Sequence, residues 1–422
     1  MIFYNIKKQT LVRKRKIMYN IKKGDSMERI IMHIDVNNAF LSWTALDLLD
    51  KGYPIDIRNI EAIIGGDETR RSGIVLAKSF PAKAKGVITA ETIYSAKRKC
   101  PNMKIFPPNY KMYKQRSSSL FNLLLKYTPD IEIASIDECY LDYGKVKKLY
   151  GDEKEFAKKI QKEINEKLGF TINIGIANNK LCAKMASDFS KPNKIHTLYD
   201  YQIEEKMHPL PIEDLFGVGK QTSKKLRELG INTIKDLAQK KEQNLRKVFK
   251  NQAIHLIRIA NGIDNSEVDS SRFVPKGISH EITLEQDVTS KLELFKKLSI
   301  LSEMVVTRLR KEEKYAGVIC VILKDKYFKR YSHQKKLKNA VNTYNEVFKH
   351  SKEILEEFYN NEPIRLIGIR LDDLKKVQGY QTSLFDEEPK RDDSLEKVIE
   401  KINDKYGKNT IKRASNVDNK HI

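Results

Sequence analysis

Apolar residues follow two different periods between residues 27 and 198, and this pattern predicts strands alternating with helices. Residues 30–34 form a short and nearly continuous apolar run, as in a buried strand. The apolar residues from 156 to 168 recur every four positions on one helical face, and residues 170–176 then alternate as a strand does. We therefore expect an α/β domain in this part of the chain.

The apolar pattern changes after residue 199. The segment 199–264 has helical spacing only and predicts a small helical module. Beyond a polar stretch, the pattern predicts a βαββαβ unit and then a polar, flexible tail from residue 375. The expected elements of that unit are strands at 277–284, 317–323 and 364–371 and helices near 295–309 and 345–358.

The composition favours a protein that binds a polyanion. A formal net charge of +23 points to nucleic acid first and to an anionic membrane second. No apolar run is long enough to span a bilayer, and the basic N-terminus lacks the apolar core of a secretory signal. The four cysteines stand singly, which argues against a zinc site and against a disulfide framework. We expect a cytoplasmic monomer.

Residues 1–27 form a basic extension with an internal repeat. The sequence of residues 4–8 recurs at residues 19–23, and a run of four basic residues lies between the two copies. We expect a flexible segment, for which three interpretations stay open. It is a DNA-binding arm, a loosely ordered leader, or upstream sequence before a start at Met27.

Three acidic residues fall in β-rich segments. Asp35 closes the apolar run 30–34, and Asp137 and Glu138 are expected inside the β-rich run that begins at Ile131. In neighbouring strands these carboxylates lie side by side, where like charges raise one another's pKa unless a cation neutralises them. Two Mg²⁺ ions about 3.5–4 Å apart, bridging a phosphate, would do so. The alternative is a solvated and idle Asp–Glu pair.

Two basic segments are typical of DNA contacts. The segment Phe216-Gly217-Val218-Gly219-Lys220 permits a tight turn that exposes backbone N–H groups to a phosphate, as in a helix-hairpin-helix. The alternative is a simple turn between helices. In the second segment, Lys326, Lys329 and Arg330 interleave with Tyr327 and Phe328 around an expected hairpin, which suits a phosphate backbone. The alternative there is a solvated sheet edge protected by lysines.

Four motifs together resemble a known family. They are Asp35-Val36-Asn37-Asn38-Ala39-Phe40, Ser135-Ile136-Asp137-Glu138, Lys191-Pro192-Asn193 and Gly217-Val218-Gly219. Their order and spacing over residues 28–375 resemble those of the Y-family translesion DNA polymerases, above all the bacterial DNA polymerase IV group. The resemblance implies that Asp35, Asp137 and Glu138 are the catalytic ligands of two Mg²⁺ ions, with the Val36 carbonyl completing the nucleotide-side site.

The same resemblance implies a nucleotide site. Phe40 would be the steric gate, an aromatic ring under the sugar that excludes a 2′-hydroxyl. Phe80 and Lys83 stand where the family usually has a tyrosine and an arginine that hold the triphosphate, so weaker or differently shaped contacts are expected. Lys191 matches the second triphosphate lysine of the family.

The architecture implied by the resemblance is an α+β right-hand polymerase. Its parts would be a ferredoxin-like palm at 28–39 and 109–198, small fingers at 40–108, a helix-hairpin-helix thumb at 199–264, a linker at 265–275, a βαββαβ little finger at 276–374 and a tail at 375–422. Small fingers close loosely over the base pair, so low-fidelity synthesis across lesions from primer–template DNA and dNTP is expected.

The tail contains a short motif similar to the peptide by which bacterial polymerases bind the sliding clamp. Gln381 precedes Leu384 and Phe385 in otherwise polar sequence. Two apolar anchors would enter a pocket while the glutamine fixes the register, and a flexible linker supplies reach.

Two rival functions compete with the polymerase interpretation. The segment Gly65-Gly66-Asp67-Glu68-Thr69 resembles the signature of diguanylate cyclases, but it precedes the Asp–Glu pair by about seventy residues instead of lying on the catalytic hairpin. A non-catalytic, clamp-tethered DNA-binding accessory protein is the other rival. The presence of all three acids and the gate residue favours the DNA-directed DNA polymerase.

Overall fold

The computed structural model describes residues 29–67, 73–271 and 275–376 and a few positions between 398 and 411. The described residues before position 272 form one compact unit, and those after it form a second. The basic extension at 1–27 and the motif of Gln381, Leu384 and Phe385 lie outside the described residues. None of the described helices is long and apolar enough to cross a membrane.

The first unit begins as the expected alternation of strands and helices. Its elements up to residue 198 are β1 (Ile31–Val36), α1 (Ala39–Asp50), β2 (Ala62–Gly65), β3 (Val75–Lys78), α2 (Phe80–Ala84), α3 (Ile93–Lys99), β4 (Lys104–Phe106), α4 (Tyr110–Leu124), β5 (Ile131–Ile133), β6 (Glu138–Asp142), α5 (Lys147–Tyr150), α6 (Glu153–Leu168), β7 (Ile172–Ala177), α7 (Lys180–Asp188) and β8 (Ile195–Leu198). The predicted strands at 30–34 and 170–176 and the predicted helix at 156–168 are confirmed.

A five-stranded sheet in the order β5-β6-β1-β7-β8 forms the centre of this unit. Strands β1 and β7 are buried along their whole length, which explains their nearly continuous apolar sequences. A separate three-stranded sheet has the order β3-β2-β4. Gly65 therefore ends a strand of a different sheet from the one that carries the acids.

The prediction that Asp137 lies inside a strand is wrong. Strand β5 ends at Ile133, residues 134–137 form a turn, and Glu138 is the first residue of β6. The turn is held by backbone hydrogen bonds from Ala134 and Ser135 to the carbonyl of Glu138, of 3.0 and 3.2 Å. The apolar pattern of the segment hides this reversal because both arms of the hairpin are β-rich.

Helix α7 packs against β7 at a point where only glycine fits. A Cβ built on Gly175 would overlap the carbonyl oxygen of Ala183 and lie 2.5 Å from the backbone nitrogen of Ser187. The missing side chain lets the backbone of α7 approach the sheet closely. This short distance between α7 and the sheet determines how far the side chains of α7 lie from the strands.

We predict that Gly175→Ala destabilises the protein by about 3 kcal/mol or more, because the added methyl group cannot avoid backbone atoms of α7. Urea unfolding followed by circular dichroism measures the change. Gly219→Ala is the matched control, since no atom lies within 4 Å of a Cβ at that position. Equal urea midpoints for Gly175→Ala and wild type would contradict the close packing of α7 on β7.

Residues 199–264 form the expected helical module. Its α-helices are α8 (Lys220–Glu228), α9 (Ile234–Ala238), α10 (Glu242–Phe249) and α11 (Gln252–Ala260). Their apolar faces share one core with the outer side of α7. The Asn179 side-chain amide, at the start of α7, donates a 2.9 Å hydrogen bond to the carbonyl of Gly262, so the module is tied to the helix that follows β7.

The second unit is the predicted βαββαβ arrangement. Its elements are β9 (Gly277–Val288), α12 (Lys291–Lys311), β10 (Tyr315–Asp325), β11 (Arg330–Val341), α13 (Tyr344–Phe358) and β12 (Ile364–Lys375). The four strands form an antiparallel sheet in the order β11-β10-β12-β9. The buried faces of α12 and α13 complete one apolar core with this sheet.

Candidate active site

The ends of β1 and β6 bring the acidic residues together. Asp35 lies directly opposite Glu138 in the antiparallel register of these strands, and opposed residues project from the same face. The Val36 amide donates a 3.1 Å hydrogen bond to the carbonyl oxygen of Asp137, so the turn that carries Asp137 rests against the end of β1. One end of the sheet, where β1 finishes and β6 begins, thus carries Asp35, Val36, Asp137 and Glu138. We call this end of the sheet the acidic edge.

Two lysines neutralise this acidic edge. The Lys184 Nζ of α7 lies 2.8 Å from Glu138 Oε2 and 3.5 Å from Asp35 Oδ2. The Lys191 Nζ lies 2.6 Å from Asp35 Oδ2 and 2.9 Å from Asp188 Oδ1. The sequence motifs included Lys191 but not Lys184. Lys184 could have been noticed in the sequence as a lysine on the apolar face of a helix.

His33 supports Glu138 from inside the sheet. The fully buried ring has Nε2 3.0 Å from Glu138 Oε2 and Nδ1 2.8 Å from Ser187 Oγ. Burial lowers the pKa of His33, so the ring is neutral near pH 7. A neutral ring donates its Nε2–H to the carboxylate, and its Nδ1 lies beside the Ser187 hydroxyl, which donates at 2.8 Å to the carbonyl oxygen of Lys184. Sequence reasoning missed His33, although alternation along β1 puts it on the same face as Asp35.

The two carboxyl groups of the Asp–Glu pair have opposite electrostatic environments. The hydrogen bond from His33, opposed by burial and reinforced by Lys184, lowers the pKa of Glu138 to about 2. Burial raises the pKa of Asp137 despite the opposing 2.6 Å hydrogen bond from Ser135 Oγ, and the charges of Asp35 and Glu138 add to the rise. Asp137 is therefore the acid that gains most from an additional cation.

The chemistry of the donor atoms fits a hard divalent cation. Carboxylate and carbonyl oxygens are the ligands that Mg²⁺ prefers, and this edge already attracts positive charge. Within the part of the chain that the structure describes, no three acidic, histidine or cysteine side chains stand arranged to hold a metal ion. Asp35 and Glu138 bind ammonium groups instead, and Asp137 binds Ser135. A metal ion at this edge competes with those partners.

A cavity of about 360 Å³ opens beside the acidic edge. Its lining includes three residues that the resemblance assigned to the nucleotide, namely Phe80, Lys83 and Lys191. The Phe80 ring is 59% exposed, so it presents an apolar face to whatever enters. Phe80 and Lys83 therefore meet Lys191, which lies more than a hundred residues later in the sequence, at one surface.

Lys78 is a further cation in this cavity that sequence reasoning missed. Its ammonium group lies 2.8 Å from Thr89 Oγ1, and both residues line the cavity. Burial, together with the charge of Lys83, lowers the pKa of Lys78. The alternation of β3 was the available signal, because Leu76 and Lys78 share the face opposite the buried Val75 and Ala77.

The Asn37 side chain links the segment that contains Lys191 to the end of β1 by hydrogen bonds. Its Oδ1 accepts a 2.8 Å hydrogen bond from the backbone of Asn193, and its Nδ2 donates at 3.0 Å to Asn173 Oδ1. Both asparagine side chains are buried. The first and third motifs of the sequence are thus physically joined.

Phe40 lies in the first turn of α1, next to the cavity but outside its lining residues. Its ring stacks on Tyr113 with centroids 4.5 Å apart and an angle of 9° between the planes. Tyr113 is fully buried and its hydroxyl group lies 2.8 Å from Thr44 Oγ1. The half-buried Phe40 ring therefore rests on a fixed aromatic base.

The turn at Gly217 has the conformation that the sequence predicted. Gly217 has a φ of 93°, which favours glycine, and Gly219 begins α8 as its N-terminal cap. Val218 is buried, whereas Gly219 and Lys220 are exposed. The first N–H groups of α8 and the Lys220 ammonium group are therefore accessible to an anion.

The basic hairpin of the second unit is the turn between β10 and β11. Tyr327 and Phe328 are 77% and 62% exposed at its tip, and the Lys326 ammonium group lies 5.0 Å from the centre of the Tyr327 ring. Lys329 is exposed. The Arg330 guanidinium group lies 2.6 Å from Glu281 Oε1, so its charge is already partly neutralised.

Family models match most of the described chain. The impB/mucB/samB family model matches residues 34–188, the model of the C-terminal domain of that family matches residues 275–384, and the IMS family HHH motif matches residues 202–231. The chain is 46% identical to DNA polymerase IV of Clostridium acetobutylicum over 390 residues, which cover 92% of this chain and 98% of the relative. It is 34% identical to DNA polymerase IV 1 of Bacillus subtilis, with coverage of 92% and 93%.

Solved structures of Y-family DNA polymerases are also similar to this chain. A Y-family DNA polymerase chimera of Dbh and Dpo4 matches with a TM-score of 0.71 at 25% identity, covering 82% of this chain and 99% of the chimera. An insertion ternary complex of Dbh DNA polymerase matches with a TM-score of 0.57 at 26% identity, covering 81% and 98%.

Proposed function

The chain belongs to the impB/mucB/samB family of Y-family DNA polymerases, and on that premise we propose how its own residues carry out the reaction. It is a DNA-directed DNA polymerase of the translesion class, with DNA and nucleotide as partners. The register of Asp35 opposite Glu138, beside the cavity of Lys83 and Lys191, is the observation that carries the assignment of the catalytic centre.

In the proposed reaction the primer 3′-oxygen forms a bond to the α-phosphorus of a dNTP as the bond to pyrophosphate breaks. Two Mg²⁺ ions, held by Asp35, Asp137, Glu138 and the Val36 carbonyl, would activate the 3′-hydroxyl and offset the charge on the phosphates. His33 and Lys184 keep Glu138 ionised, and Ser135 orients Asp137. The remaining task of the chain is positioning, which is the main protein contribution to phosphoryl transfer.

The triphosphate is proposed to lie against Lys83 and Lys191. Lys191 stands between the acids and the cavity, so its ammonium group can exchange Asp35 for a phosphate oxygen. Lys83 makes no ion pair with any described residue, and as a point charge it lacks the fork of an arginine. Lys78 adds a third positive charge, while the Phe80 ring supplies contact area without a hydroxyl group.

We predict that Lys83→Arg lowers the KM for dNTP by about fivefold, because a bidentate charge-assisted contact adds about 1 kcal/mol. Steady-state single-nucleotide insertion measures KM and kcat separately. Lys85→Arg is the matched control two residues later in the sequence, since the Lys85 ammonium group lies 3.8 Å from Glu61 Oε1 and Lys85 does not line the cavity. A KM for Lys83→Arg equal to that of wild type would remove Lys83 from the triphosphate site.

The division of labour along the chain is part of the proposal. We assign residues 28–39 and 109–198 to the palm, 40–108 to the fingers, 199–264 to the thumb, 265–275 to a linker and 276–374 to the little finger. Gly217, Gly219 and Lys220 support a thumb that binds the DNA backbone through exposed N–H groups. Exposed Lys326 and Lys329, more than the paired Arg330, support backbone contacts by the hairpin of the little finger.

The segment of Gln381, Leu384 and Phe385 is proposed to bind the bacterial sliding clamp. It follows the last strand of the second unit at a distance of a few residues, which supports a tethered peptide. Extension by protein that ends at residue 376 tests this. A loaded clamp should lengthen the products of the full chain and leave those of the shortened chain unchanged.

Primer extension on undamaged and abasic templates, with Mg²⁺ and the four dNTPs, tests the proposed catalytic function. Extension that depends on template, primer 3′-hydroxyl and divalent cation is the expected result. A protein that binds primer–template but never extends it would instead be a non-catalytic DNA-binding accessory protein.

A further inference from the structure

Lys184 is the most deeply buried cation of the acidic edge. The residue is 9% exposed and its ammonium group meets three carboxylates, at 2.8 Å from Glu138, 3.5 Å from Asp35 and 3.4 Å from Asp188. The close approach of α7 to β7 at Gly175 fixes the depth of its backbone. Its position is therefore set by the fold and does not depend on a flexible surface side chain.

A lysine in this place does more than satisfy the fold. Removing an ammonium group from water costs several kcal/mol, and a single well-placed carboxylate can offset much of that cost. Lys184 instead lies between Asp35 and Glu138, two of the acids that the proposed function assigns to divalent cations. Lys184 and a divalent cation neutralise the same two charges, so each weakens the hold of the other.

We propose that Lys184 is a positioning residue, an internal counter-cation that holds Asp35 and Glu138 in place before metal binds and competes with divalent cations for them. This inference rests on the proposed function, because it takes these acids to be the metal ligands. In the absence of metal, Lys184 offsets the like charges of Asp35 and Glu138 together with Lys191, which pairs with Asp35, and His33, which is hydrogen bonded to Glu138. A metal ion that binds here must compete with Lys184 for the carboxylates of Asp35 and Glu138. This competition lowers the affinity of the site for the metal.

Mn²⁺ binding to the full chain without DNA or nucleotide tests the proposal, with free Mn²⁺ measured by electron paramagnetic resonance. Lys184→Met removes the charge and keeps the length of the side chain. We expect it to lower the Mn²⁺ dissociation constant by at least about tenfold, because the competing charge is gone. We also expect the melting temperature of metal-free Lys184→Met to fall and Mn²⁺ to restore more of it than it adds to wild type.

Two further variants separate charge from packing. Lys184→Arg keeps the charge and should bind Mn²⁺ within about threefold of wild type. Lys180→Met is the matched control one turn earlier on α7, where the ammonium group lies 2.7 Å from Glu132 and touches none of the three acids. It should leave the Mn²⁺ affinity unchanged.

Three outcomes would overturn the proposal. The first is a Mn²⁺ affinity of Lys184→Met that equals or falls below that of wild type. The second is an equal gain in affinity for Lys180→Met, which would reflect net charge alone. The third is failure of both Lys184→Met and Lys184→Gln to fold even with saturating Mn²⁺, since a counter-cation of this kind is replaceable by metal. Wild-type protein that binds no Mn²⁺ and extends no primer would instead reject the proposed function.

Discussion

Asp137→Asn is expected to lower the rate of primer extension by at least about a thousandfold, equivalent to about 4 kcal/mol of transition-state stabilisation. The substitution keeps the size of the side chain and removes the charge. Asp137 is the most suitable acid to change, because among the described residues its side chain is hydrogen bonded to Ser135 and to no lysine or histidine. Burial raises the pKa of Asp137, and the proposed metal would favour its ionised form.

Single-turnover extension of a labelled primer with saturating dNTP measures this loss, and fluorescence anisotropy measures primer–template binding in parallel. Binding should stay within about twofold of wild type, because the change lies away from the proposed DNA contacts. Asp142→Asn is the matched control at the far end of β6, where Asp142 pairs with Lys145. Near-normal extension by Asp137→Asn would exclude Asp137 as a metal ligand.

Glu138→Gln is less informative, although Glu138 is also a proposed ligand. Its pKa of about 2 reflects hydrogen bonds from His33 and Lys184, so the carboxylate stabilises the folded state at neutral pH. A pKa depressed by folding gives stability that is present above the unfolded value of about 4.5 and is lost as the pH falls towards 2. A loss of activity in Glu138→Gln would therefore mix catalysis with local stability.

The sequence alone predicts correctly those elements that produce a regular apolar spacing within one segment. The strand before Asp35, the helix at 156–168 and the βαββαβ unit all have apolar spacings that only one type of element satisfies. The ordered motifs were sufficient for the family. The hairpin around Asp137 was not predicted, because β-rich residues continue on both sides of the turn. The apolar periodicity does not show where the chain reverses direction.

The residues that sequence reasoning missed act through contacts between distant segments. Lys184 reaches the acids only because Gly175 lets α7 pack closely on the sheet, and neither residue is unusual in its own segment. His33 reads as one polar residue in an apolar run, and its role depends on Ser187 from α7. Charge pairing of this kind follows from the relative placement of helix and sheet, which a pattern along the chain does not encode.

Phe40→Ala is expected to raise the efficiency of ribonucleotide insertion relative to deoxyribonucleotide insertion by about a hundredfold. A 2′-hydroxyl forced against a fixed ring costs roughly 1–3 kcal/mol, the range for overpacking, and its upper end corresponds to this factor. The ring is fixed because it stacks on Tyr113, which is itself buried and hydrogen bonded to Thr44. Insertion efficiencies, as kcat/KM for a matched dNTP and rNTP pair, measure the change.

Two variants test whether the ring itself makes the selection. Phe40→Tyr keeps the ring and should keep the discrimination, whereas Tyr113→Phe removes only the hydrogen bond to Thr44 and should change it by less than about threefold, because the stack beneath Phe40 remains. If Phe40→Ala rejects ribonucleotides as strongly as wild type does, the ring is a core residue and another group of the cavity makes the selection. Phe40 lies beside the lining of the cavity and not within it, so this measurement decides whether a sugar reaches the ring.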